Sequence, residues 1–197
     1  MMKLLRIVCV LVASCGESQD TTTAATPTDE VYVAGQKIPM RKGDVIFWVT
    51  PDVRVHRMLE LAKVGPGDVV YDLGCGDGRI VIAAARDFGA RGVGIDIDDK
   101  LIRDAQEAAR KAGVADKVEF RVGNMFETDL SKATVIALYL LEHLNLKLRP
   151  RLWRELPVGA RVVSHVFGMG DWKPDREEVV AGKPVYLWTI GEHHKAK

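Results

Sequence analysis

Residues 71–80 read YDLGCGDGRI: three glycines at alternate positions, Gly74, Gly76 and Gly78, follow an apolar run and precede an Ala-rich segment. Few placements suit such a stretch. Glycine tolerates backbone that other residues avoid and lets a ligand approach without a Cβ in the way, so the spacing predicts a tight loop between a buried strand and a helix. The first turn of that helix offers free N–H groups and the positive end of its dipole to whatever sits at the loop.

The flanking sequence supports the same unit. Val69 to Leu73 is a short apolar run of the kind that forms a buried parallel strand, Ile80 to Phe88 a helix stopped by Gly89, and Gly92 to Ile95 a second strand closing on Asp96. Strand, helix, strand is the βαβ motif. Upstream, Thr50, Pro51 and Asp52 predict a helix start with a hydroxyl cap, after which Val55, Met58, Leu59 and Ala62 share a face. Downstream, Asp98 is a cap for a helix whose buried stripe is expected at Leu101, Ala105, Ala108 and Ala112.

Val118 to Val122 and Thr134 to Leu140 supply a third and a fourth strand. Leu141, Leu144, Leu148 and Leu152 keep helical spacing, with Pro150 expected to break the helix and begin a second. Arg161 to Phe167 reads as a fifth strand, and Glu178 to Val180 with Val185 to Ile190 as an antiparallel pair. The sum is a doubly wound, Rossmann-like α/β domain: a seven-stranded, mostly parallel sheet with an antiparallel C-terminal strand and helices on both faces.

The loop's ligand can be narrowed by elimination. A dinucleotide fingerprint needs GxGxxG, and here the third glycine arrives one residue early; a phosphate loop needs Gly-Lys-Ser/Thr, which is absent. Asp72 would repel a pyrophosphate and favour a ligand carrying ammonium or sulfonium charge. S-adenosylmethionine carries both. Asp96, 24 residues after Asp72, stands where an acid can bind both ribose hydroxyls, with Ile97 beside it. With 28 Lys plus Arg against 27 Asp plus Glu there is no global field to draw in nucleic acid, so no nucleic-acid partner is expected.

With Asp72-Leu-Gly-Cys-Gly-Asp-Gly78 and Gly94-Ile-Asp96 the chain resembles the seven-stranded S-adenosylmethionine-dependent methyltransferases over residues 45–190. IFWVTP (46–51), GDGRIVIAAA (76–85), ALYLLEHLNLKLRP (137–150) and ARVVSHVFGMGDWKPD (160–175) are similar to the mitochondrial protein-lysine methyltransferases of the ATP synthase c subunit. That resemblance implies that Gly123, Asn124 and Met125 border the adenine and that Tyr139 faces the transferred methyl. Trp48, Tyr139, Phe167 and Trp172 are candidate walls of an apolar channel, in which a lysine is more easily deprotonated. Protein-lysine N-methylation is the leading reading; small-molecule O- or N-methylation, with His143 or His165 assisting, and a non-catalytic envelope lipoprotein using the fold as a binding module are the alternatives.

No metal site is expected, since Glu142 alone does not make one. Cys75 reads as a small filler of the loop, and His56 and the His193-His194 pair as solvated. The segment MMKLLRIVCVLVASC has a basic start, an apolar run from Ile7 to Ala13 and small residues before Cys15, the pattern of a lipoprotein leader. The expected organisation is therefore a signal peptide over 1–15 ending at an acylated Cys15, a disordered tether and lead-in over 16–40, and a monomeric methyltransferase domain over 41–197. Membrane contact would come through the N-terminal lipid only. A mis-assigned start ahead of a cytoplasmic enzyme is the alternative.

Overall fold

The computed structural model describes the backbone of residues 30–33 and 36–39, and residues 49–195 in full. Two compact units divide the chain, Met1–Ile46 and Phe47–Lys197. In the first, β1 (Glu30–Val33) pairs antiparallel with β2 (Gln36–Pro39), Val33 opposite Gln36. This hairpin falls in the stretch read from sequence as tether and lead-in; Val31, Tyr32, Val33 and Ile38 are the β-branched and aromatic residues that favour strands there. Cys15 and the leader lie outside the described residues.

The second unit is built on one seven-stranded sheet in the order β5-β4-β3-β6-β7-β9-β8. Its strands are β3 (Val69–Leu73), β4 (Arg91–Asp96), β5 (Val118–Val122), β6 (Val135–Leu138), β7 (Arg161–His165), β8 (Arg176–Val180) and β9 (Lys183–Thr189). The first five are mutually parallel; β9 runs antiparallel to both β7 and β8. Chain order reverses between β3 and β6, and at such a switch point the loops beyond the carboxyl ends part to leave a crevice.

Four helices cover the sheet: α1 (Asp52–Leu61), α2 (Arg79–Phe88), α3 (Asp99–Lys111) and α4 (Glu142–Glu155). The buried face of α1, with Val55, Met58, Leu59 and Ala62, packs with α2 against Val70, Val135, Val163 and Val185. On the opposite face Leu148 and Leu152 of α4 pack against Leu73, Ile136, Val162 and Trp188. Strand alternation sorts these residues, because successive side chains leave a strand on opposite faces.

Four local expectations need correction. Pro51, not Thr50, is the N-cap of α1, and no side chain caps it; the Thr50 hydroxyl faces His165 instead, 3.4 Å from Nδ1. In α3 the fully buried residues are Ile102, Ala105 and Ala109, one position beyond most of the expected stripe. Ile102 brings a larger apolar side chain to the core than Ala108 or Ala112, and Asp98 caps the helix as expected, accepting from the N–H of Lys100 and Leu101. Pro150 lies inside α4 and does not end it. Its ring faces solvent, where water can satisfy the carbonyl one turn back, while Leu148 and Leu152 hold the helix from the buried side.

The fourth correction concerns the tail. His194, expected in solvent, is buried against the rings of Trp153 and Trp172. A 3-10 turn over Glu192–His194 folds the chain back, and the Gly191 N–H donates to His194 Nδ1 at 2.9 Å. His56 Nε2 lies 3.0 Å from Asp87 Oδ2. Among the described residues no helix is long and apolar enough to cross a membrane, and no group of His, Cys, Asp or Glu could hold a metal ion.

Candidate active site

The carboxyl ends of β3, β4, β5, β6 and β7 bring most of the sequence-predicted residues to one edge of the sheet. Directly after β3, Gly74, Gly76 and Gly78 all take positive φ, 84°, 53° and 75°. Gly78 shows why. It is the N-cap of α2, and a Cβ there would lie 2.5 Å from the Phe120 ring and 2.9 Å from Ala105 Cβ, so the loop turns directly over β5 and α3.

The loop is moored to the neighbouring strand. The N–H groups of Gly74 and Cys75 donate to the Ile95 carbonyl at 2.8 and 3.0 Å, and that of Gly76 donates to Asp96 Oδ2 at 2.9 Å. Asp96 Oδ1 accepts from the Asp98 N–H at 3.0 Å, and the Asp96 carbonyl from the Gly123 N–H at 2.8 Å. One half-buried carboxylate thus ties the glycine loop to the start of α3, and its backbone ties in the loop after β5. Ile97, beside it, is 60% exposed on the same rim.

Asp72 is nearly the reverse case. It is 3% exposed, and burial, followed by the charges of Asp96 and Asp77, raises its carboxyl to about 8. Asp72, Asp77 and Asp96 lie close together here; Arg79 pairs with Asp77, and among the described residues no cation pairs with Asp72 or Asp96. A carboxyl raised in this way holds a proton until a cation takes its place, so the crevice suits a cationic ligand and opposes a phosphate. Arg79 is turned outward, gripping Asp77 at 2.9 Å and the Thr50 carbonyl at 3.1 Å, so it fixes the segment before α1 to the loop. Cys75 is buried with Val81, Ile82 and Phe120, and burial raises its thiol so far that it remains protonated, as a filler does.

After β5, Asn124 closes its own turn: Oδ1 accepts from the Phe126 N–H at 3.0 Å and Nδ2 donates to Glu127 at 2.9 Å. Met125 packs against the core, its carbonyl accepting from Arg151 at 3.2 Å. After β6, the Tyr139 ring lies 4.1 Å from that of His165 and 6.3 Å from that of Phe167. His165 is fully buried; desolvation, with Arg54 and Lys183 adding, lowers it to about 4, so the imidazole is neutral at pH 7.

Trp172 stands elsewhere. Its ring contacts Trp153 at 5.5 Å, Trp188 at 5.7 Å and His194 at 5.1 Å on the α4 side of the sheet. It therefore does not share a wall with Tyr139, although Phe167 lies between the two groups, touching one and lining the same cavity as the other. Trp48 lies outside the described residues. His143, on an exposed part of α4, is not brought to Tyr139 by any described contact.

Sequence reasoning missed Arg79 as the tie to Thr50, and Asn145 and Ser164 beneath the loop after β7. One signal was available for Asn145: it interrupts an apolar stripe, Leu141, Leu148 and Leu152, at a position that must be buried.

Comparison with known proteins extends this reading. The ANTKMT methyltransferase domain profile matches residues 72–176. The chain belongs to that family. A protein-lysine N-methyltransferase of Saccharolobus islandicus (strain REY15A) is 48% identical over 149 residues, 73% of this chain and 92% of its own length. The adenine nucleotide translocase lysine N-methyltransferase of Mus musculus is 34% identical over 140 residues, 71% of this chain but 60% of the mouse protein. A crystal structure of an RNA methyltransferase from Salinibacter ruber in complex with S-adenosyl-L-homocysteine superposes with a TM-score of 0.73 at 59% identity, covering 74% of this chain and 95% of that one. This member of the family is an S-adenosylmethionine-dependent methyltransferase with the Rossmann-like fold expected from its sequence.

Proposed function

We propose that the chain is a protein-lysine N-methyltransferase, with Asp72, Gly74, Gly76, Gly78, Asp96, Ile97, Asn124 and Met125 bordering the cofactor and Tyr139 facing the reacting methyl. The observation that carries this reading is the acidic crevice at the switch point, opening next to an aromatic group of Tyr139, Phe167 and His165. Support for lysine as acceptor comes from the relatives that carry that activity in their names.

When bound, S-adenosylmethionine supplies a methyl group on a positively charged sulfur. The acceptor nitrogen forms its bond to that carbon as the carbon–sulfur bond breaks, with the electron pair leaving on sulfur. The chain's task is alignment and exclusion of water. A lysine ammonium has an unperturbed pKa of ~10.4 and must first shed its proton to solvent; apolar surroundings such as Tyr139 and Phe167 disfavour its charged form. His165 is neutral and buried beneath Tyr139, which suits packing without adding charge beside the amine.

The Salinibacter ruber structure favours a second acceptor, RNA. Methyl-labelled cofactor incubated with enzyme and cell extract separates the two. Label resistant to nuclease and recovered as methyl-lysine after acid hydrolysis is expected; label lost on nuclease treatment identifies RNA, and label passing a small-molecule filter identifies a metabolite. At the N-terminus we propose acylation of Cys15 and attachment to the cell envelope, supported by the leader's residue order alone. The intact mass of the natively produced protein decides between that and a retained Met1.

A further inference from the structure

We propose that the cavity on the α4 side of β9, about 320 Å³ and lined by Glu142, Phe167, Trp172, Pro174, Tyr186 and Trp188, receives a second lysine side chain of the protein substrate, one that flanks the acceptor and stays charged. Its alkyl stem lies against the aromatic walls and its ammonium approaches Glu142. The proposal rests on the protein-lysine reading and adds a place where the substrate protein is held beside its acceptor.

The walls match that occupant in chemistry. Four unbranched methylenes ending in a cation bury well against ring faces, and an ammonium over Trp or Tyr is attracted by the ring itself. Among the described residues Glu142 has no ion-pair partner, so its carboxylate at the first turn of α4 is available to a cation. It is near enough to Tyr186 to contribute, after burial and Glu177, to raising that phenol. An anionic or neutral side chain would gain neither interaction.

The walls are also held in advance of binding. Behind β7, Val166 sits at φ 70°, a costly conformation for a β-branched residue, and the loop that follows is pinned at its carbonyls. Asn145 Nδ2 donates to the carbonyls of Phe167 and Gly168 at 3.1 and 3.2 Å, Ser164 Oγ to that of Phe167 at 2.7 Å, and Arg149 to that of Met169 at 2.8 Å. Trp188 Nε1 donates to the Trp172 carbonyl at 2.8 Å. At Gly170, φ 64°, a Cβ would lie 2.8 Å from Leu146, so the loop is seated directly on α4. Strain held by this many bonds is typical of a preformed ligand wall. Phe167, shared with the Tyr139 group, connects the cavity to the proposed reaction centre.

The test reads binding and needs no turnover. The full chain, labelled with nitrogen-15 in its indoles, is titrated with N-acetyl-lysine amide and, as a neutral mimic of the same stem, N-acetyl-norleucine amide; a Trp172→Phe variant assigns the Trp172 resonance. The lysine probe is expected to shift the Trp172 and Trp188 indole signals saturably and at least tenfold more tightly than the norleucine probe, and Glu142→Gln is expected to bring the two probes level. Equal binding of both probes to the native protein, no saturable shift with either, or an undiminished preference for lysine in Glu142→Gln would overturn the proposal. If lysine docks here while extract labelling appears in RNA, the docking site stands and the acceptor reading falls; if methyl-lysine forms while no docking is seen, the acceptor reading stands and the docking site falls.

Discussion

Asp72 shows most clearly what one residue contributes. Its carboxyl titrates at about 8 in the fold and near 3.8 in the unfolded chain, so the folded state holds one more proton between those values and stability falls as pH rises across that range. His165 has the opposite sign: lowered to about 4 from 6.5, it costs stability as pH falls from 6.5 toward 4. The two effects oppose each other below pH 6.5, leaving the Asp72 effect uncovered from 6.5 to 8. Denaturant titrations of the ligand-free protein should show stability declining over that interval, and Asp72→Asn should flatten the slope. Asp72 and Asp96 were legible in the sequence because strand ends fix them; the buried His165 was legible only as a histidine on a strand, since its burial depends on Thr50 and Tyr139 from distant segments. At Gly78, alanine would meet both an unfavourable φ and the Phe120 ring, and should cost about 2–3 kcal/mol in urea unfolding.

Among the elements, α4 diverges most from simple propensity. Pro150 removes one helical hydrogen bond yet the helix runs through it, because burial of Leu148 and Leu152 outweighs the loss. Pro150→Ala should therefore raise stability by about 1–2 kcal/mol, less than the full ~3 kcal/mol of helix propensity because the unfolded chain also gains freedom. Asn145 on the same helix acts on the loop after β7. Replacing it with Ala leaves the part-buried Gly168 carbonyl without its donor, while Ser164 still serves that of Phe167. The expected cost is about 1–3 kcal/mol, with earlier amide exchange in residues 166–170 than elsewhere in the fold. Strand and helix positions were readable because hydrophobic period and turn residues are local signals. The one-residue shift of the α3 stripe was not, since Ala108 and Ala109 are equivalent in composition and only the position of β5 selects between them.

For the molecule as a whole, the doubly wound, mostly parallel sheet followed from the repeated strand-helix alternation, which admits few topologies. The cavity beside β9 did not: its lining is drawn from α4, the loop after β7 and β9, and no spacing in the chain reveals that these meet. The acidic, glycine-floored crevice is the proposed seat of the cofactor's positive charge and ribose, and every functional prediction depends on it. The most direct measurement is calorimetric titration of the full chain with S-adenosylmethionine, native and Asp96→Ala, in one buffer. Saturable one-site binding is expected, weakened at least thirtyfold, about 2 kcal/mol, in the variant, which loses both its ribose partner and the mooring of the Gly76 N–H. Absence of saturable heat in the native protein, or equal affinity in the two, would contradict it.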